Sequence, residues 1–110
     1  MKLTLDSEAL AKSLVRLRGA AGGAGNNRLI RVDAHGEILR LTANNMLMQT
    51  EVEIEGQGHG QASFSLDLAD FLAVAKQSPK GSETLMEFNA DKGDLVITRA
   101  RGQSRLETLP

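Results

Sequence analysis

The stretch Ala62-Ser-Phe-Ser-Leu-Asp-Leu-Ala-Asp-Phe-Leu-Ala-Val-Ala-Lys76 contains a strand and a helix back to back. Phe64-Ser65-Leu66 alternates apolar and polar residues, the period of a half-buried strand. At Leu68 the period changes. Leu68, Phe71, Leu72 and Ala75 recur at i, i+3, i+4 and i+7, which predicts a helix over 68–77. Asp67 stands at the change, and its carboxylate predicts an N-cap that accepts from the free N–H groups of the first turn. The same unit occurs once more. Leu3-Thr-Leu-Asp6 precedes Leu10, Leu14 and Leu17, and Leu3/Phe64, Thr4/Ser65, Leu5/Leu66, Asp6/Asp67 and Leu10/Phe71 align without a gap.

Outward from these two units the chain reads as antiparallel strands. Lys2–Leu5 is a predicted strand and Ser7–Arg18 a helix capped by Asp6 or Ser7. Gly19–Gly25 is a glycine-rich loop. Without Gly-Lys-Ser/Thr opening a helix, it is no phosphate-binding loop. Strands follow at Leu29–Asp33, with Ile30 and Val32 inward, and at Ile38–Thr42, with Leu39 and Leu41 inward. Ala43-Asn44-Asn45 is a turn, since Asn tolerates the left-handed region that tight hairpins need. Met46–Glu55 alternates throughout, placing Met46, Met48, Val52 and Ile54 on a buried face and Glu51, Glu53 and Glu55 on a wet one. Gly56–Gly60 reads as a linker. After the second unit, Pro79 breaks the helix, and strands are predicted at Thr84–Asn89, Asp94–Arg99 and Gln103–Leu109.

The halves, about 1–56 and 60–110, match further. Leu29-Ile-Arg-Val aligns with Leu85-Met-Glu-Phe, and Leu39-Arg-Leu-Thr42 with Leu95-Val-Ile-Thr98. Each half is β-α-β-β-β. Such a repeat predicts one α+β domain over residues 1–110, with two units about a pseudo-twofold axis and two helices side by side on antiparallel sheet.

Composition excludes several classes. There is no cysteine, which removes disulfides and thiolate metal sites and agrees with a cytoplasmic setting. Thirteen basic and fourteen acidic side chains give a net charge of −1, so any attraction for nucleic acid must come from a local patch. The opening Met1-Lys-Leu-Thr-Leu-Asp6 lacks the apolar run of a secretion signal. No run approaches the ~20 apolar residues that span a bilayer, so no membrane partner is expected. With three Phe and no Trp or Tyr, base stacking has little to rest on.

Candidate chemistry is sparse. Lys12 and Arg16 lie one helical turn apart, with Arg18 beyond; a solvated helix face and an anion-binding face both fit them. Lys76 and Lys80 lie at the corresponding end of the second helix. His35 and His59 each adjoin glycine in a turn and read as exposed loop histidines. The glutamates of the long strand lie straight rather than staggered around a tight turn, so they do not form a calcium loop. No nucleophile elbow or clustered His–carboxylate pattern is present, and neither an enzyme, a cofactor nor a metal is expected.

The β-α-β-β-β repeat, the opening Met1-Lys-Leu-Thr-Leu5, the Leu39-Arg-Leu-Thr-Ala-Asn-Asn-Met46 turn and the closing Arg105-Leu-Glu-Thr-Leu-Pro110 resemble the N-terminal domain of the bacterial DNA polymerase III β subunit, the sliding clamp. The resemblance runs the length of the chain. It implies a DNA-clamp-like domain from a ring of six such domains, three per chain, with helices lining the hole and sheets facing outward. It implies a non-catalytic processivity role in replication and contact with double-stranded DNA through Lys12, Arg16, Arg18, Arg28, Lys76 and Lys80, directed at phosphates without regard to sequence. It also implies pairing with another copy, or with another clamp chain, through the edges at Met46–Glu55 and Gln103–Leu109. Glu51 and Glu53 mark the first edge and Arg101, Arg105 and Leu106 the second; opposite charges favour head-to-tail pairing. Replication proteins are further expected partners, but the family's client groove lies mostly in its last domain and is not carried over. A module that joins or caps a longer clamp, and an N-terminal piece of one, remain as alternatives.

Overall fold

The computed structural model describes residues 1–20, 29–44 and 49–110. Its elements are β1 (Lys2–Asp6), α1 (Ser7–Ala20), β2 (Leu29–His35), β3 (Ile38–Asn44), β4 (Gln49–Glu55), β5 (Gln57–His59), β6 (Gln61–Asp67), α2 (Leu68–Ala75), β7 (Glu83–Asn89), β8 (Asp94–Arg99) and β9 (Gly102–Glu107). The readings placed on the loop at 21–25, Arg28, Asn45, Met46 and Met48 lie outside the described residues.

Both helices start as the sequence predicts. The Asp67 side chain accepts from the Asp70 N–H at 3.0 Å, and Asp6 accepts from the Ala9 N–H at 2.9 Å. Each carboxylate satisfies a donor that the first helical turn leaves free. Helix α2 is shorter than its apolar period suggested. Lys76 is its C-cap, and the chain turns through Gln77 and Ser78 before Pro79, which disfavours helical geometry in the residue ahead of it.

Two antiparallel sheets result. One has the order β5-β1-β7-β8-β9 and the other β4-β3-β2-β6. The halves therefore exchange their first strands. β1 pairs with β7 of the second half, Leu3 opposite Met86, and β6 pairs with β2 of the first, Val32 opposite Phe64. The last strand of each half also hands the chain to the opposite sheet. β4 ends one sheet and leads into β5, which adds to the other beside β1. β9 ends its sheet and leads to Leu109, which exchanges two 2.8 Å backbone hydrogen bonds with Ser65 of β6.

β5 corrects the reading of Gly56–Gly60 as a linker. A Cβ added to Gly58 would lie 2.1 Å from the Lys2 carbonyl oxygen, and one on Gly56 would lie 2.3 Å from that of Thr4. The glycines that suggested a loop are there because two backbones approach too closely for a side chain.

One core serves both halves. Leu3, Leu5, Leu10, Leu14, Leu17, Ile30, Val32, Leu39, Leu41, Phe64, Leu66, Phe71, Met86, Leu95 and Ile97 are all buried in a single cluster. The helices pack against each other on the inner faces, α1 over β3 and β4 and α2 over β6 and β9. Among the described residues no helix is long and apolar enough to cross a membrane.

Candidate nucleic-acid interface

α1 and α2 pack side by side, and each keeps one exposed side. At about 100° per residue, Glu8, Lys12, Val15, Arg16 and Gly19 fall along one side of α1, away from Leu10, Leu14 and Leu17. Lys12, Val15, Arg16 and Gly19 are exposed. Arg18 is exposed on the flank. Along α2 the exposed positions are Ala69, Asp70 and Ala73, followed by Lys76 and Gln77.

Lys80 is not on α2. It lies in the turn that follows, and that turn is fastened to the start of α1. The Ser7 N–H donates to the Ser82 carbonyl at 3.1 Å. The Ser7 and Thr84 hydroxyls are 2.7 Å apart and buried, Ser82 Oγ reaches Ser7 Oγ at 3.1 Å and the Pro79 carbonyl at 2.6 Å, and Ser78 Oγ lies 3.4 Å from Thr84 Oγ1. Lys80 thereby joins α1 at its amino end, while Arg16 and Arg18 occupy the other end.

Charge follows the layers. Residues 7–20 and 68–81 carry five of the thirteen basic side chains and two of the fourteen acidic ones, leaving eight and twelve for the rest of the sequence. The helices and the turn after α2 are thus net positive, and the remainder net negative. Arg16, Arg18, Lys76 and Lys80 make no ion pair among the described residues. Lys12 does: its Nζ lies 3.0 Å from Glu8 Oε1. That hydrogen bond, with the charges of Lys12 and then Lys80, holds the Glu8 carboxyl below its usual range.

The sheet edges differ from their reading as free charge. Asp33, Arg40 and Glu53 stand in one row across β2, β3 and β4. Arg40 binds Glu51 at 2.7 Å and Glu53 at 2.9 Å, so both glutamates are already engaged within their own sheet. The Glu53 hydrogen bond and the two carboxylate charges raise the pKa of Arg40. On β9, Arg105 Nη1 donates to Asp94 Oδ2 at 2.9 Å. Leu106 turns inward against the core, opposite Leu95. Arg101 is exposed in the turn before β9. β4 and β9 nonetheless each lie at one edge of their sheet, with β6 and β5 at the opposite edges. His35 and His59 are exposed, and among the described residues no group of three or more His, Cys, Asp or Glu is placed to hold a metal ion.

Two residues that matter here escaped the sequence reading. Glu8 is legible as the i, i+4 partner of Lys12. Arg40 is legible once the β3–β4 register sets it opposite Glu53.

The architecture is that of a DNA sliding-clamp domain: two β-α-β-β-β units, two adjacent helices and two antiparallel sheets. No protein-family model and no curated protein matches the sequence. Solved structures do match. The Caulobacter crescentus pol III beta structure superposes with a TM-score of 0.89 at 24% identity, covering 100% of this chain and 31% of that one. The DNA polymerase III subunit beta from Pseudomonas aeruginosa gives 0.87 at 18%, covering 100% and 30%. The Helicobacter pylori beta clamp, solved bound to a DNA ligase peptide, gives 0.83 at 18%, covering 100% and 31%. The chain thus spans just under a third of the length of the clamps it resembles.

Proposed function

We propose that the chain is a non-catalytic, sliding-clamp-type processivity module that holds duplex DNA against its helix face. The observation that carries this reading is the segregation of charge. A chain of net charge −1 concentrates basic side chains on the surface formed by its two helices and leaves the remainder acidic. Lys12, Arg16, Arg18, Lys76 and Lys80 would meet phosphates, with Arg28 added from outside the described residues. Phosphate contact supplies affinity without sequence preference, which suits movement along DNA.

The test is duplex binding against salt concentration. Counterion release makes such binding fall steeply as salt rises. Lys12→Glu with Arg16→Glu should abolish most of it, while Glu51→Lys with Glu53→Lys should not. Equal binding by parent and helix variant at low salt would sink the assignment.

A second reading is favoured by β4 and β9, whose outer edges have no strand beside them among the described residues. Here the chain joins another copy of itself, or joins or caps a longer clamp and modulates it, by extending a sheet. A heterologous contact of this kind closes into a ring or continues as a filament. Light scattering behind size exclusion, run at low salt across a concentration range and with a full-length clamp added, separates these arrangements from a monomer.

A further inference from the structure

The positive face has an acid at its amino end. Glu8 lies within hydrogen-bond reach of Lys12, and its neighbour Ser7 is bonded to Ser82, two residues past Lys80. The Lys80 turn is anchored, because Ser7 and Thr84 at its root are 2% and 0% exposed and are bonded to each other and to Ser82 or Ser78. The Lys12 ammonium is thus held on the Glu8 carboxylate, and the turn that carries Lys80 is fastened to the residue next to Glu8. A carboxylate and a phosphodiester are both oxyanions that accept charge-assisted hydrogen bonds from ammonium.

We propose that Glu8 occupies the place of a DNA backbone phosphate between Lys12 and Lys80, and by doing so limits how tightly the helix face holds duplex. The inference rests on the reading of that face as a DNA-contacting surface. With Glu8 present the three side chains sum to one positive charge; without it they offer two, with Lys12 released from its internal partner. The lowered pKa of Glu8 agrees with a carboxylate set among cations. α2 has no such arrangement: Asp70 is exposed beside Ala69 and Ala73 and makes no ion pair among the described residues. A surface that must let DNA slide is served by an internal anion that competes for its lysines.

The experiment is fluorescence anisotropy of the whole chain with a 30-base-pair duplex of arbitrary sequence, across a salt series. Glu8→Gln should bind roughly two- to five-fold tighter at low salt, with a salt slope steeper by about one. Asp70→Asn, which removes the same charge from α2, should change binding less. In a Lys12→Gln/Lys80→Gln background the gain from Glu8→Gln should vanish, the mark of coupling rather than of bulk charge. A DNA-free readout accompanies these. The Glu8 side-chain carboxyl, followed by NMR, should titrate closer to its ordinary range in Lys80→Gln. Unchanged affinity and slope in Glu8→Gln, a gain that persists without both lysines, or a Glu8 titration indifferent to Lys80 each overturns the proposal while leaving DNA binding by the parent intact. If neither parent nor Glu8→Gln binds duplex, the DNA reading falls and this inference falls with it.

Discussion

Phe64 of β6 and Phe88 of β7 stack with ring centroids 4.5 Å apart and planes 11° from parallel. They belong to different sheets, so the pair is a seam between them. Such stacking adds about 0.5–1.5 kcal/mol beyond the area buried. Phe64→Ala, at a fully buried position, should cost about 3–5 kcal/mol by urea unfolding. Phe64→Leu keeps most of the volume and should cost less than half as much.

Gly58 and Gly19 predict opposite signs for the same substitution. Gly58→Ala sets a Cβ against the Lys2 carbonyl and must push β5 off β1. It should lower stability by about 2 kcal/mol or more and speed hydrogen exchange in β1. Gly19→Ala, in helix α1 with nothing within 4 Å of the new Cβ, should raise the melting temperature, gaining about 0.5–1 kcal/mol.

Arg105 bears on stability before it bears on any partner. Asp94 is buried, its Oδ2 held by Arg105, and its Oδ1 has no hydrogen-bond partner among the described residues. Arg105→Ala should cost about 1–3 kcal/mol, because a buried carboxylate loses its cation. Arg101→Ala should stay within about 0.5 kcal/mol. Arg101 is therefore the cleaner probe of edge-to-edge association, and Arg105→Glu with Leu106→Asp would confound assembly with unfolding.

Glu8 also predicts a pH effect. Its folded pKa lies below the ordinary value of 4.5. A depressed carboxyl contributes stability that is present above the unfolded value and is lost as pH falls through the folded one. Melting temperatures of parent and Glu8→Gln, measured from pH 6 down to pH 3, should therefore converge at the acid end. A gap that widens there would contradict the ion pair with Lys12.

The repeat, both caps and the inward faces of the strands are legible in the sequence because they depend on neighbours a few residues apart. Gly36 and Gly93, aligned between the halves, both adopt positive φ in hairpin turns, at 62° and 65°. The exchange of β1 and β6 between sheets is not legible. Any alternating strand with one apolar face fits any open edge, and only the assembled core decides between edges. Spacing alone puts Lys80 at the end of α2, whereas the hydroxyls of Ser7, Ser82 and Thr84, far apart in sequence, fasten its turn to the start of α1. The charges of Glu51 and Glu53 were visible, but their prior engagement by Arg40 depends on a hairpin register.

The strand exchange also sets the order in which the chain can complete itself. All four strands of the sheet β4-β3-β2-β6 come from residues 29–67, with β2, β3 and β4 joined as consecutive hairpins and β6 returning to β2. β1 is made before β2, yet its main partner, β7, begins only at Glu83. Pairing across such a separation is slow, because the loop must close before any contact rewards it. Pulse-labelled hydrogen exchange should accordingly find Val32 and Leu41 protected before Leu3 and Leu5. A strand made early thus waits for one made some eighty residues later, and until β7 arrives the apolar side chains of Leu3 and Leu5 lack the strand that covers them longest.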